Sequence, residues 1–431
     1  MPIVAIRTHA SPSSGIGHLA RTFCLAASMA KYGLESHFFL DNENPFFERY
    51  LHPFHYTCLY HGGEKFHDEV SDAHRLTDAT IGHQILAVLV DDYRLSRVWE
   101  ENVEKLDCPL IVLDDRDSVQ HKCSMIVDAK WVGIATSERY LDKVPDYCLR
   151  LLGPKYVLLD GSYVNQGKTS DSHISKKIIS IMVSLGGGGD MRIVRNLVEK
   201  LLRNAPSNTK FIVRPVISPF ATNKEAIFSI SEKDRRLKPI SNARSLYDYL
   251  KNTTLYIGAA GGTLYEGLSR NIPMLTFALA ENQNNQLRHL EDLGHYFHLN
   301  DFGEESFNKL AELAGAIVSN IERIQHLYAL PKKVGIDVLG GERISKAIDS
   351  LIKEEQPQTK LTQYSSESIN QQSDVTDEQG YVFESVDDRH INRYLDARNL
   401  DENLQNMTET EKIGLLDHYL WWLNTERLSY L

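Results

Sequence analysis

The sequence predicts an α/β protein: two Rossmann-like domains facing a cleft, then a polar linker and a short incomplete α/β tail. Three observations carry this. Strand-like apolar runs alternate with helical periodicity through both halves of the chain. The runs are continuous rather than alternating, as in parallel sheets buried on both faces. Glycine-rich turns follow several of them, at the strand ends where open parallel sheets bind ligands.

The first half opens with IVAIR (residues 3–7), a short apolar strand. HLARTFCLAASMAKYG follows, with Leu19, Phe23, Ala26 and Ala30 at helical spacing and Gly33 placed to end the helix. ESHFFLD is a second strand. ILAVLVDDY and LIVLDD are buried strands ending in acidic residues. NQGKTSDSHISKK (165–177) is polar and turn-rich and is expected to link the domains. Alternation then resumes with IISIMVSLGGGGD, MRIVRNLVEKLL, KFIVRPV, TLYIGAAGGTLYEGL and PMLTFALAENQ. The stretch from Glu354 to Gly380 is polar and poor in aliphatics, as a flexible linker is. Beyond it lie a strand-like YVFESV and two helical segments, the second with Trp421 and Trp422. The expected division is 1–163, 178–354, a linker at 355–380 and a tail at 381–431. The tail is expected to be dispensable for the chemistry, since every ligand-facing motif precedes it.

Composition narrows the function. A formal net charge of −11 argues against general nucleic-acid binding, which needs a basic surface. The five cysteines, without a CxxC pair, fit a reduced cytoplasmic protein better than a disulfide scaffold or zinc site. No apolar run reaches the ~20 residues of a membrane span, and the first residues read as a strand rather than a signal.

Four stretches carry candidate chemistry. In SSGIGHLAR (13–21), Gly15 and Gly17 let the backbone approach an anion at the start of a helix. The positive helix end disfavours a second positive charge there, which suits His18 as a base; Arg21 lies one turn further on. A plain glycine turn is the competing reading, and the third glycine of the dinucleotide fingerprint is missing. In AAGGTLYEGL, Gly261, Gly262 and Thr263 face a diphosphate and Glu266 a ribose diol; alternatively Thr263 and Glu266 form a capping box. Glu281, Asn282 and Gln283 end a strand on the same cleft and suit sugar hydroxyls or acetamido groups, or cap the next helix. SLGGGGD (184–190) is a cleft-lining loop or a turn. Asp91, Asp92, Asp114 and Asp115 sit at strand ends, with His121 following; paired carboxylates there could bind a metal, and their plainer role is capping and solvation. No histidine pair has HExxH or other metal-ligand spacing, and neither metal nor cofactor is expected.

In collinear order, GIGHLAR, VDDY, LDDRDS, LLGPKYVLLD, SLGGGGD, GAAGGTLYEGLSRNIPMLTF and AENQ resemble the UDP-sugar hydrolase family of pseudaminic acid biosynthesis, over about residues 1–354. The resemblance implies a glycosyltransferase-B-like (GT-B-like) fold and metal-independent hydrolysis of UDP-2,4-diacetamido-2,4,6-trideoxy-β-L-altropyranose. It also implies catalytic roles for His18, Tyr93 and Asn282, and a nucleotide held at Gly261, Gly262, Thr263 and Glu266. Before the glycine turn this chain has THASPSSG, where the family carries a longer, acidic-rich stretch. The tail resembles the opening of GNAT-type acetyltransferases, through Arg398, Asn399, His418 and Trp422. An acetyltransferase or synthase of the same pathway is therefore an expected partner. A glycosyltransferase of the same fold and a non-catalytic nucleotide-sugar-binding module are the alternatives.

Overall fold

The computed structural model describes residues 2–164, 178–204, 210–241, 243–300, 303, 306–354, 375–376, 382–383, 386–407 and 410–425. The linker expected at 165–177 lies outside them. So does most of 355–380, apart from β14 (Val375–Thr376), which pairs antiparallel with β15 (Val382–Phe383).

The first lobe is built on seven parallel strands: β1 (Pro2–Thr8), β2 (Ser36–Leu40), β3 (His55–Cys58), β4 (Gln84–Asp91), β5 (Leu110–Leu113), β6 (Met125–Asp128) and β7 (Leu149–Leu152). Their order is β3-β2-β1-β4-β5-β6-β7. The second lobe has six: β8 (Ile178–Ser184), β9 (Lys210–Ile217), β10 (Ile240–Ser241), β11 (Leu255–Ala259), β12 (Met274–Phe277) and β13 (Phe297–Leu299), ordered β10-β9-β8-β11-β12-β13. All pairings within the two sheets are parallel. Both sheets are thus doubly wound and reverse direction beside their first strand, where a crevice opens at the strand ends.

The continuous apolar runs follow from burial on both faces. In β1, Val4 and Ile6 pack with Leu19, Phe23, Ala26 and Met29 of helix α1 (Gly17–Met29). Ala5, between them, meets the opposite layer with Val88, Leu76 and Trp99. The helix Gly340–Ile352 falls in the chain segment expected to form the second lobe, yet it packs in the first, placing Ile344, Ala347 and Ile348 beside α1. Its Gly340 allows this approach, because a Cβ there would overlap the backbone of Val157.

The tail departs from expectation more sharply. Its helices Ile391–Arg398 and Leu415–Asn424 belong to the core of the second lobe, where Tyr419 and Trp422 are fully buried. Leu415–Asn424 lies along the helix Ser306–Ser319. Tyr419 Oη is 2.6 Å from Asn392 Oδ1 and 3.0 Å from Tyr296 O, and Asn392 Nδ2 donates to Glu291 at 2.8 Å. Trp422 Nε1 donates to Asp388, which Arg323 also pairs. Asn399 exchanges two hydrogen bonds with Ile413, tying the two tail helices together, and Arg398 lies over Trp421. The physical reason is size: some 50 residues bury too little surface to hold a core of their own, so the apolar face docks on a neighbour. Among the described residues, no helix is long and apolar enough to cross a membrane.

This packing gives the tail a part in the stability of the second lobe. Trp422→Ala is expected to cost about 3–5 kcal/mol, as for other large-to-small changes of buried aromatics. Deletion from Gln356 onward is expected to lower the melting temperature further. Unchanged melting of the truncated chain would show that the tail contributes nothing to the lobe.

Candidate functional site

The two sheets bring four strand-end loops together. Those after β1 and β4 lie at the direction change of the first sheet, and those after β8 and β11 at that of the second.

After β1 the chain makes a tight turn in which Ser11 and Gly15 exchange backbone hydrogen bonds at 2.8 and 3.2 Å. Gly15 takes φ +71°, a conformation costly for any residue with a Cβ. Helix α1 then begins without a capping side chain, its N-cap being Ile16. His18 stands in the first turn. Its Nδ1 is 2.5 Å from Asp91 Oδ1, at the end of β4. Arg21 clamps the same carboxylate from the next turn, with Nε 2.5 Å from Oδ2 and Nη2 2.6 Å from Oδ1. Asp91 is fully buried. Burial alone opposes its charge, but Arg21 and His18 outweigh that and hold its pKa below the ordinary range.

Tyr93, two residues beyond Asp91, sets its ring edge-on to His18 at 4.4 Å between centroids. Its hydroxyl donates to Asp115, which also receives Arg21 Nη1 at 3.3 Å. Burial pushes the Tyr93 phenol far up, so it stays protonated. From the second lobe, Asn282 Nδ2 donates to Tyr93 Oη at 3.2 Å, while Lys130 of the first lobe donates to Asn282 O at 3.1 Å. A continuous polar chain therefore runs from Asn282 through Tyr93, Asp115, Arg21 and Asp91 to His18.

The other candidates line the cleft less tightly. Gly17, Gly261 and Gly262 are open: a Cβ would meet nothing within 4 Å at Gly17 or Gly262, and only Gln283 Nε2 at 3.9 Å at Gly261. Gln283 Oε1 accepts from the Leu279 amide and folds its own loop, and Glu281 is exposed. The helix Gly262–Leu268 has Gly261 as its N-cap, so Thr263 stands inside the first turn and no capping box forms. The Glu266 carboxyl instead lies by the hydroxyls of Tyr163 and Thr263, with Asp160, Cys24 and Tyr50 in its field. Burial pushes it up to about 7. Cys24 and Arg21 follow His18 at three-residue steps along α1, with His18 and Arg21 turned to Asp91.

The acidic strand ends are matched by cations. Asp92 binds Arg94 and Asp114 binds Arg116. His9, Asp41 and Asp92 bring ligand atoms within 4.8 Å of one another, but Arg7 and Arg94 already neutralise the carboxylates. Sequence reasoning noticed Asp91 and Asp115 only as strand-end carboxylates. Their roles depend on the β1–β4 pairing, which places Thr8 beside Asp91. Lys130 and Tyr163 lay in no motif, and Arg116 was part of LDDRDS without a role of its own.

His121 sits behind the site. Its Nδ1 is 2.6 Å from Glu100, and Nε2 is 3.8 Å from Asp114. Burial opposes its charge, but the Asp114 and Glu100 carboxylates prevail and push the imidazole up to about 9.

No family model matches the chain. The uncharacterized protein MJ1062 of Methanocaldococcus jannaschii is 23% identical over 284 residues, 65% of this chain and 56% of that protein. The chain thus spans about half the length of the curated relative it matches. Several solved structures superpose on it. Acinetobacter baumannii MurG does so with a TM-score of 0.50 and 11% identity, over 81% of this chain and 100% of its own. A UDP-glucosyltransferase from Polygonum tinctorium gives 0.51 and 12%, over 81% and 99%. S. aureus MnaA, in a UDP co-structure, gives 0.52 and 11%, over 83% and 100%. These likenesses are of fold: two Rossmann-like lobes facing a cleft, of the GT-B-like kind.

The buried His121 cation makes a pH-dependent contribution. Its pKa is higher folded (about 9) than unfolded (about 6.5), so its stabilisation is complete below the unfolded value and lost as pH rises through the folded one. Urea denaturation should show wild type ahead of His121→Gln by roughly 3 kcal/mol more at pH 6 than at pH 9.5. An equal gap at both values would mean the imidazolium is not the stabilising form.

Proposed function

We propose that the chain hydrolyses a UDP-linked diacetamido-trideoxy hexose at the anomeric carbon, releasing UDP and the free sugar for nonulosonate (pseudaminic acid) biosynthesis. The observation that carries this reading is the pairing of His18 Nδ1 with the buried Asp91 carboxylate. With Nδ1–H given to Asp91, Nε2 is the nitrogen left to accept a proton. A histidine so oriented, in the first turn of a helix, has the form of a general base.

In this reading, water bound near Nε2 loses its proton to His18 as its oxygen attacks the anomeric carbon. The bond from that carbon to the β-phosphate oxygen breaks, and its electron pair leaves with UDP. Asp91 stabilises the imidazolium that forms. UDP leaves readily, so the enzyme need supply only the base and donors toward the departing diphosphate. In this reading the backbone N–H groups at Gly17 and at Gly261, Gly262 and Thr263, all at helix starts, are those donors. Tyr93 and Asn282 complete the sugar side, and Glu266 receives the ribose hydroxyls. Support for a nucleotide-sugar ligand comes from the collinear motifs, and from fold neighbours that include a UDP-glucosyltransferase and a protein solved with UDP.

The test is incubation with the UDP-linked diacetamido sugar and no acceptor, with NMR identification of the products. Free sugar and UDP are expected; UDP release only when an acceptor is added would make the protein a transferase. His18→Asn is expected to abolish turnover and leave UDP affinity within a few-fold, and wild-type rates in the variant would remove His18 as base. Glu266→Ala is expected to weaken UDP binding by roughly 1.5–3 kcal/mol in calorimetric titration at about pH 8.5, where the carboxyl is ionised, the worth of a hydrogen bond to a charged acceptor.

A further inference from the structure

We propose that Gly187 is a positioning residue: its bare backbone lets the loop after β8 seat on the start of α1, and this seating brings Asn282 to Tyr93 and completes the site around His18. The proposal rests on the hydrolytic reading only for what the completed site does.

The two glycine loops meet backbone to backbone across the cleft. A Cβ built on Gly15 would lie 2.7 Å from the carbonyl carbon of Gly187 and 3.0 Å from the amide nitrogen of Gly188. A Cβ on Gly187 would overlap Ile16 N outright and come within 2.9 Å of Ile16 Cγ1 and 3.1 Å of Gly17 N. Gly188 is less crowded, with Pro12 O at 3.2 Å. The loop is held from behind, since Ser218 Oγ donates to Gly187 O. Gly187 therefore cannot retreat without breaking that bond.

The crowding lies between the lobes rather than within the loop. Gly186 and Gly189 take φ of +86° and +103°, so only glycine suits them. Gly187 and Gly188 are not among the positive-φ residues, and their own backbone admits a side chain. A methyl at 187 would leave the loop unstrained and act on its contact with Ile16 and Gly17. Relieving the overlap requires the loops to part by roughly 1 Å, from the ordinary separation of non-bonded atoms.

The other contacts across the cleft cannot follow such a movement. The Asn282–Tyr93 hydrogen bond is already 3.2 Å long. At 3.6 Å or beyond such a pair no longer counts as bonded. Lys130 to Asn282 O, Trp131 Nε1 to Asp292 at 3.0 Å and Tyr265 Oη to Ala129 O at 3.5 Å share the same interface. The glycine contact thus sets a separation on which the polar chain from Asn282 to His18 depends.

The experiment compares wild type, Gly187→Ala and Gly188→Val. Bio-orthogonal spin labels at Ile81 and Asn196, exposed on opposite lobes, report lobe separation with and without UDP. Turnover and UDP affinity are measured on the same proteins, and melting curves check that each is folded. In Gly187→Ala the label distance is expected to lengthen or broaden. kcat should fall at least 10-fold, with UDP affinity within about 3-fold. Gly188→Val should behave in the same direction and covers the case in which Gly187→Ala does not fold. A folded variant with wild-type label distances and wild-type kcat overturns the proposal. The distances decide the outcome even if the wild-type protein hydrolyses no UDP-sugar, so failure of the hydrolytic reading remains distinguishable.

Discussion

The site is organised around one buried carboxylate. Asp91 ends β4 at the direction change of the first sheet, with no solvent to share its charge. A charge in that position is tolerable only if paired and hydrogen-bonded. Arg21 supplies a bidentate partner, and His18 fills the remaining approach. Removing either partner leaves part of a buried charge exposed to low dielectric, so the first two turns of α1 are locked to β4. The orientation of the His18 ring is a consequence of that lock.

The lock extends outward through shared acceptors. Arg21 also reaches Asp115, Asp115 accepts from Tyr93, and Tyr93 accepts from Asn282 of the other lobe. Each member is held by charge or by a second hydrogen bond, and such networks are worth more intact than pair by pair. Two further clusters stiffen the lobe behind it. Arg7 is buried with Asp72, which also receives Tyr60 and Trp99, and His121 sits between Glu100 and Asp114. The Asn282–Tyr93 contact joins this lobe to the second, beside Lys130–Asn282, Trp131–Asp292 and Tyr265–Ala129.

The tail and the helix Gly340–Ile352 show how chain order and spatial assignment separate. Gly340–Ile352 follows the second lobe in sequence but adds Ile344, Ala347 and Ile348 to the first-lobe core beside α1. The tail helices complete the second lobe through Tyr419 and Trp422. Apolar periodicity reveals that such a helix must bury a face; it does not say against which surface. The answer depends on which face is left uncovered after the sheets and crossover helices have formed.

Local chemistry was readable from the sequence alone. Continuous apolar runs announced parallel strands buried on both faces, and glycines after them marked the turns at the strand ends. GIGH placed His18 in the first turn of a helix. Collinear motifs point to a GT-B-like pair of lobes, and to Tyr93 and Asn282 together although they are 189 positions apart. The strand, turn and helix readings rest on periodicity and backbone freedom, which are properties of neighbouring residues; the GT-B-like pair of lobes and the joint roles of Tyr93 and Asn282 came from the resemblance. Tertiary structure decided the rest. It gave Asp91 to His18 and Arg21, put Thr263 inside its helix rather than at the cap, and pressed Gly187 against Ile16. It also docked the tail. Except for the helix boundary at Thr263, each of these is a contact between segments distant in sequence, fixed by strand order and by the separation of the lobes, and no local pattern encodes such distances.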